Sequence, residues 1–145
     1  MGILNWLRRN LLYDRDEDYF PDCQLFLDDR DALLEAFHQA AIAAGKPRGL
    51  RWVSVTSEGE PVFAVNQLDD LLFAFWPVTV MFEPLAGSGM EDVPQATGPR
   101  GVLATFAFRR GRWQTVGHAI FNHTVEQINQ DNWWQRIDFN PHRTA

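Results

Sequence analysis

The chain has 145 residues, of which 46% are hydrophobic and 22% are charged, and its formal net charge is −6 at pH 7. This length and balance predict one folded domain that buries about two-thirds of its unfolded surface, and they argue against wholesale disorder. The excess of acidic residues disfavours nonspecific binding to nucleic acid, because the phosphate backbone needs a basic face.

The cysteine content and the hydropathy pattern narrow the cellular setting. Cys23 is the single cysteine, so the chain can form no internal disulfide and has no CxxC motif, as is typical of a reducing compartment. No apolar run approaches the roughly 20 residues of a membrane-spanning helix. Residues 1–12 carry their arginines after the apolar residues, unlike a signal peptide. We therefore expect a soluble, cytoplasmic protein with no membrane span.

A short amphipathic segment, residues 2–13, is the first element in chain order. On a helical projection its apolar side chains share one side, opposite an asparagine and two arginines. The apolar set consists of Ile3, Leu4, Trp6, Leu7 and Leu11. An acidic stretch follows, so we interpret residues 1–27 as an arm and an acidic linker. The single main domain is expected over residues 28–139, with a flexible tail over residues 140–145.

Two interpretations of this arm stay open. It can dock on a protein partner or on a second copy of the chain through Trp6, Leu7 and Leu11, or it can fold back onto its own sheet. A membrane surface is the least favoured target, because eight acidic residues between Asp14 and Asp31 would be repelled by anionic lipid.

The strongest helical pattern runs from Asp29 to Ala44. Its apolar residues recur on one face with helical spacing. They are Leu33, Leu34, Ala36, Phe37, Ala40, Ala41 and Ala44. Gly45 and Pro47 are expected to end the helix. His38 falls on the opposite, polar side, and we interpret it as a solvated residue.

Strand patterns occupy most of the following seventy residues. Residues 50–56 and 61–65 flank Ser57-Glu58-Gly59-Glu60, which we interpret as a four-residue hairpin loop. Residues 71–82 are apolar on both faces, as expected of a strand that is covered on both sides. Pro77 lies within this strand and cannot donate to a ladder, so it predicts a bulge or an edge.

The last hairpin permits a register to be predicted. With Arg110-Gly111 as a two-residue turn, three cross-strand pairs follow: Phe108 with Trp113, Phe106 with Thr115, and Ala104 with Gly117. The same register opposes Arg109 and Arg112 on one face, which is unfavourable unless solvent or an anion intervenes.

We call Arg109, Arg110 and Arg112 the basic tip. Three arginines at one turn stand out in an acidic chain. The plainer interpretation is a solvated hairpin tip. The alternative is a docking site for an acidic segment of a partner, or for residues 14–31 of a second copy.

A second helix is expected to close the domain. Thr124 and Gln127 have the spacing of a capping box, in which each side chain satisfies a backbone N–H group of the other residue. Apolar residues follow at Val125, Ile128, Trp133, Trp134 and Ile137.

This order of elements predicts an α+β domain. We expect one long helix packed on a curved antiparallel sheet of four to five strands, with a short N-terminal helical arm and a C-terminal helix. The architecture is similar to that of cystatin-like or NTF2-like domains. The similarity lies in the order of elements and carries no function with it.

The sequence contains none of the common catalytic signatures. It has no GxSxG elbow, no GxxxxGK[ST] loop and no HExxH motif, so we expect no metal and no cofactor. Cys23 lies between acidic residues, which raise the pKa of a thiol, and a nucleophilic role is not expected.

His118 is the best single candidate for chemistry, with Glu83 or Asp70 as an acidic partner. The plainer interpretation is a hydrogen-bonded histidine on a partly covered sheet face. We therefore favour a non-enzymatic interaction or accessory module that binds a protein partner or itself. The alternative is a small-ligand-binding or NTF2-like enzyme domain with a pocket between helix and sheet. A closed core would argue against this alternative, and an open polar cone would support it.

Overall fold

The computed structural model describes residues 16–93, 98–121, 125–130 and 133–141, with the backbone alone described at 117–121 and 129–130. These residues form an α+β fold whose sheet is antiparallel. Trp6, Leu7 and Leu11 of the predicted arm lie outside the described residues, as do the predicted cap Thr124 and the last four residues of the tail.

The elements follow one another in the chain with short connections. The helices are α1 (Phe20–Asp28), α2 (Arg30–Ala44) and α3 (Val125–Gln130), and 3-10 turns cover Asp16–Tyr19 and Met90–Asp92. The strands are β1 (Leu50–Ser57), β2 (Val62–Asn66), β3 (Leu72–Pro84), β4 (Gly98–Arg109), β5 (Arg112–Phe121) and β6 (Trp134–Ile137).

Helix α1 lies where the sequence predicted an acidic linker. Pro21 is in its first turn, where the N–H group that proline lacks would have no helical partner. Cys23 and Phe26 are three residues apart on one face, and both are completely buried. In place of the predicted linker, residues 20–28 therefore form a helix that contributes Cys23 and Phe26 to the core, while the acidic turn Asp16–Tyr19 before it has no buried residue.

The long helix α2 is confirmed, and Gly45 ends it in the left-handed conformation with φ of 64°. Leu33, Phe37 and Ala41 are buried as predicted. The buried face is narrower than expected, because Ala36 and Ala44 are exposed.

His38 on α2 is half-buried rather than solvated. Its Nε2 atom is shielded from solvent and has no hydrogen-bond partner among the described residues. The helical projection placed His38 opposite the buried face and did not indicate that this atom is shielded.

The described part of the chain forms a six-stranded sheet, rather than the expected four to five strands, in the order β5-β4-β3-β2-β6, with β1 also on β3. Strand β3 has 13 residues. Its start pairs with β2, as in Phe75 with Val62, and its later part pairs with β1, as in Val78 with Ser57. Strands β1 and β2 thus lie end to end along β3, and the predicted hairpin between them is wrong.

Pro77 lies opposite the break between β1 and β2. Its carbonyl accepts a hydrogen bond of 3.0 Å from the backbone N–H of Glu58. The N–H and C=O of a residue in an antiparallel pair point to the same neighbour, so the N–H that proline lacks falls where the neighbouring strand is interrupted. Pro77 also pairs with Leu103 of β4 in an unbroken register, so the predicted bulge or edge is wrong: the proline lies inside the sheet, opposite a gap between two strands.

The predicted register of the last hairpin holds near its turn. Arg110 and Gly111 have φ of 54° and 78°, as a type I′ turn requires. The pairs Phe108–Trp113, Phe106–Thr115 and Arg109–Arg112 are confirmed. Beyond a bulge between Ala104 and Phe106, Ala104 pairs with Ala119 rather than with Gly117. Residue alternation alone does not reveal such a bulge.

The C-terminal helix α3 is shorter than predicted. The chain re-enters the sheet as β6, in which Ile137 pairs with Phe63 of β2. Trp134 lies on the reverse face of the sheet, with its ring 5.0 Å from that of Phe73 and 4.8 Å from that of Phe75. The apolar run at Trp134–Ile137 is so short that it is compatible with both helical spacing and strand alternation. It forms a strand because it pairs with the edge of β2.

Candidate functional site

The space between the helices and the sheet, where a pocket was hypothesised, is filled by aromatic side chains. The ring of Phe26 is edge-on to four others at centroid distances of 5.1 to 5.7 Å. Those rings belong to Phe63, Trp76, Phe106 and Trp113. Edge-to-face pairs of this kind add to the stability that area burial provides.

Three tryptophans of this interior bond backbone carbonyls. The indole N–H groups of Trp52, Trp76 and Trp113 donate to the carbonyls of Lys46, Gly59 and Asp22 at 2.7, 2.8 and 2.8 Å. Each ring therefore combines apolar contact with a satisfied polar edge, and none of these three indole groups is left to bind a ligand.

The structure places the backbone of the three catalytic candidates. Asp70 precedes β3 and Glu83 lies near its end, and a strand of 13 residues spans roughly 40 Å. Glu83 is exposed and forms an ion pair with Arg51. His118 belongs to β5, between the pairs Phe106–Thr115 and Ala104–Ala119, and its side chain lies outside the description. Asp70 and Glu83 are therefore too far apart to share one site, and the pairing of His118 with either of them stays a prediction.

Cys23 is not poised for nucleophilic chemistry. Burial raises the pKa of its thiol well above the usual value, and the negative charges of Asp22 and Asp16 raise it further. The predicted direction is confirmed, although burial is the larger cause. Within the described ranges, no group of three or more His, Cys, Asp or Glu side chains is arranged to hold a metal ion.

The turn before β4 contains a small anion site that the chain fills itself. The carboxylate of Glu91 accepts hydrogen bonds from the backbone N–H groups of Gly87, Ser88 and Gly89 at 3.1 to 3.4 Å, and from the Ser88 hydroxyl at 3.2 Å. These bonds, led by the one from Gly87, lower the pKa of Glu91. The arrangement closes a glycine-rich turn and leaves no vacant donor for an external anion.

The basic tip is exposed and rigidly supported. Arg109 and Arg112 are directly opposed in the sheet register, and no side chain of the tip pairs with another described residue. On the core side of the tip, the rings of Phe108 and Trp113 lie 5.3 Å apart. The two strands that carry the tip are thus anchored in the core while its guanidinium groups remain in solvent.

An open cleft of about 600 Å³ lies at the rim of the fold. The end of α1, the loop between β1 and β2, and the segment after β6 form its walls. A second depression of about 360 Å³ adjoins it and shares Arg30, Glu60 and Pro61. We call the two together the rim cleft. Its apolar wall includes Leu27, Phe63 and Phe139.

The rim cleft is acidic. Among the described residues, four carboxylates and the guanidinium of Arg30 line it, and the carboxylates belong to Asp28, Asp31, Glu60 and Asp138. Asp28 also accepts a hydrogen bond of 2.9 Å from the Gln24 amide. This site was not predicted from the sequence, because its residues come from four separate segments of the chain. Taken alone, each of these residues resembles an ordinary helix-end or turn residue.

Comparison with known proteins gives no match: no family model, no curated protein and no solved structure is significantly similar to this chain. No described helix is long and apolar enough to cross a membrane. The features of the described residues that bear on function are the packed interior, the basic tip and the rim cleft.

Proposed function

We propose that this chain is a non-enzymatic interaction or accessory module that associates with copies of itself. The packed aromatic interior is the observation that carries this proposal. A ligand-binding domain needs a concave site with convergent polar groups, whereas the space between these helices and the sheet is occupied by rings around Phe26. The exposed features suit recognition by the outer surface.

The basic tip is the proposed contact of this module. Guanidinium groups form paired hydrogen bonds with carboxylates, and they keep their charge at any physiological pH. The type I′ turn at Arg110 and Gly111 presents them from a short, rigid hairpin end. Little conformational entropy of the backbone is then lost on binding, which makes the tip a suitable anchor for an acidic surface.

Replacing Arg109, Arg110 and Arg112 with Ser is expected to weaken self-association. The contact should also weaken in the wild type as salt rises from about 50 to about 500 mM, because the Debye length falls from roughly 14 to 4 Å. Sedimentation velocity at several salt concentrations measures both effects. Thermal stability should change little, since exposed substitutions typically stay within about 0.5 kcal/mol each.

A matched control removes two exposed basic residues elsewhere, in the variant Lys46→Ser with Arg48→Ser. This control should assemble as the wild type does. Equal assembly of the wild type and the triple variant at low salt would contradict the proposal and leave the tip as a solvated turn.

The arm, with Trp6, Leu7 and Leu11, is a second proposed contact. Deleting residues 1–13 should leave a folded domain with weaker association, because the described core is assembled from residues 23–137. Sedimentation and thermal melting of the truncated protein distinguish the two interpretations of the arm. A monomer that melts far below the wild type would assign the segment to the core of its own chain.

The finer architectural assignment, cystatin-like or NTF2-like, also belongs to the proposal. It is supported by helices α1 and α2 packed against an antiparallel sheet. A cytoplasmic setting fits the free thiol of Cys23.

The alternative function, a small-ligand-binding or NTF2-like enzyme domain, is favoured by one observation: the rim cleft has the volume of a ligand pocket, about 300–1,000 Å³. That cleft lies at the rim rather than between helix and sheet.

A further inference from the structure

We infer that the basic tip of one copy docks in the rim cleft of another. This inference rests on the proposed self-association and names the surface that receives the tip. The two surfaces have opposite charge: three exposed guanidinium groups form the tip, and four carboxylates against one guanidinium line the cleft. Complementary potentials of this kind steer association and fix its register.

The chemistry of the cleft suits arginine in particular. Arginine side chains lay their methylene stems along apolar surface while the charged head reaches polar partners. The half-buried side chains of Leu27 and Phe139 offer that apolar surface, and the carboxylates of Asp28 and Glu60 lie on the same cleft. A cleft that was acidic throughout would attract any cation, whereas this mixture favours a long side chain with a terminal charge.

The tip and the cleft of one chain are separate surfaces. Arg109 of β4 lies two residues beyond Ala107, which pairs with Phe73 near the start of β3. The cleft residues Glu60 and Pro61 precede Val62 of β2, which pairs with Phe75, and β3 lies between β4 and β2. The tip stands on a tight turn at the end of the hairpin of β4 and β5 and does not fold back across β3, so the cleft that it fills belongs to another copy.

The resulting contact is heterologous, because two different surfaces meet. Such contacts produce rings when the rotation between copies closes and open chains when it does not. In either case each copy contributes one tip and one cleft to its two different neighbours, and this property separates the inference from a symmetric contact between two tips or two arms.

The test uses a cleft variant with Asp28→Asn, Asp31→Asn and Glu60→Gln, beside the tip variant with three Arg→Ser changes. Each variant alone should associate at least about tenfold more weakly than the wild type at low salt, the effect of three modest exposed ion pairs. An equimolar mixture should form a 1:1 heterodimer and no larger species, because one intact tip and one intact cleft remain. Sedimentation velocity distinguishes these species, and thermal melting confirms that each variant is folded.

A matched control neutralises three exposed acidic residues outside the cleft: Asp18→Asn, Asp92→Asn and Glu126→Gln. It should assemble like the wild type. If the tip variant loses assembly and the cleft variant does not, or if the mixture stays monomeric, the docking inference is overturned while self-association stands. A wild type that is monomeric at every concentration at low salt overturns the inference together with the proposed function.

Discussion

Replacing Phe26 with Ala should lower the free energy of unfolding by about 3–5 kcal/mol, the range typical of a buried Phe truncation. Phe26 is 0% exposed, and its ring meets four others edge-on at 5.1 to 5.7 Å. Its removal leaves a cavity between α1 and the sheet and also removes these aromatic pairs. Chemical denaturation of the wild type and the variant measures the difference.

Leu25→Ala is the matched control, because Leu25 is the preceding residue of the same helix and is 37% exposed. It should lower the free energy of unfolding by less than about 1 kcal/mol. If Phe26→Ala had an equally small effect, α1 would leave the sheet without penalty. The interpretation of this region as a linker would then regain support.

Local signals explain the parts of the fold that the sequence predicted well. Helix α2 has helical spacing over 15 residues and ends at a glycine with positive φ, and both signals lie within the segment itself. The same is true of the turn at Arg110 and Gly111, where Gly111 suits a φ of 78° that few other residues tolerate. Elements of this kind can be read before any tertiary contact is known.

Long-range pairing explains the main errors. Strand β6 forms because Ile137 and its neighbours pair with the edge of β2. Strands β1 and β2 lie end to end because both pair with β3. Nothing in a run of four residues signals which distant edge it will meet. Helix α1 was missed for a different reason: its acidic residues suggested solvent, although the spacing of Cys23 and Phe26 marked a buried face.

The two candidate surfaces differ in the same respect: local sequence signals predict one of them, and the other depends on long-range packing. The basic tip could be predicted, because its arginines are consecutive around one turn. The rim cleft could not, because Asp28, Glu60 and Asp138 meet only through the packing of α1, the loop after β1 and the segment after β6. Glu83 and Asp70 were alternative acidic partners for His118 in the sequence, and because they lie at opposite ends of β3 at most one of them can serve.

Replacing Phe37 with Ala should also lower the free energy of unfolding by about 3–5 kcal/mol. Phe37 is 1% exposed, and its ring lies 5.9 Å from that of Trp52 and 6.4 Å from that of Phe106. It therefore joins α2 to both β1 and β4. Ile42→Ala is the control on the same helix, since Ile42 is 48% exposed, and its effect should stay below about 1 kcal/mol.

A loss below about 1 kcal/mol for Phe37→Ala in chemical denaturation would mean that the assigned rotation of α2 about its axis is wrong. The variant also separates stability from docking, because Phe37 belongs neither to the basic tip nor to the rim cleft. At temperatures where it stays folded, it should keep the salt-dependent association of the wild type. Association lost together with stability would indicate instead that the contact between copies depends on the helix-to-sheet packing around Phe37.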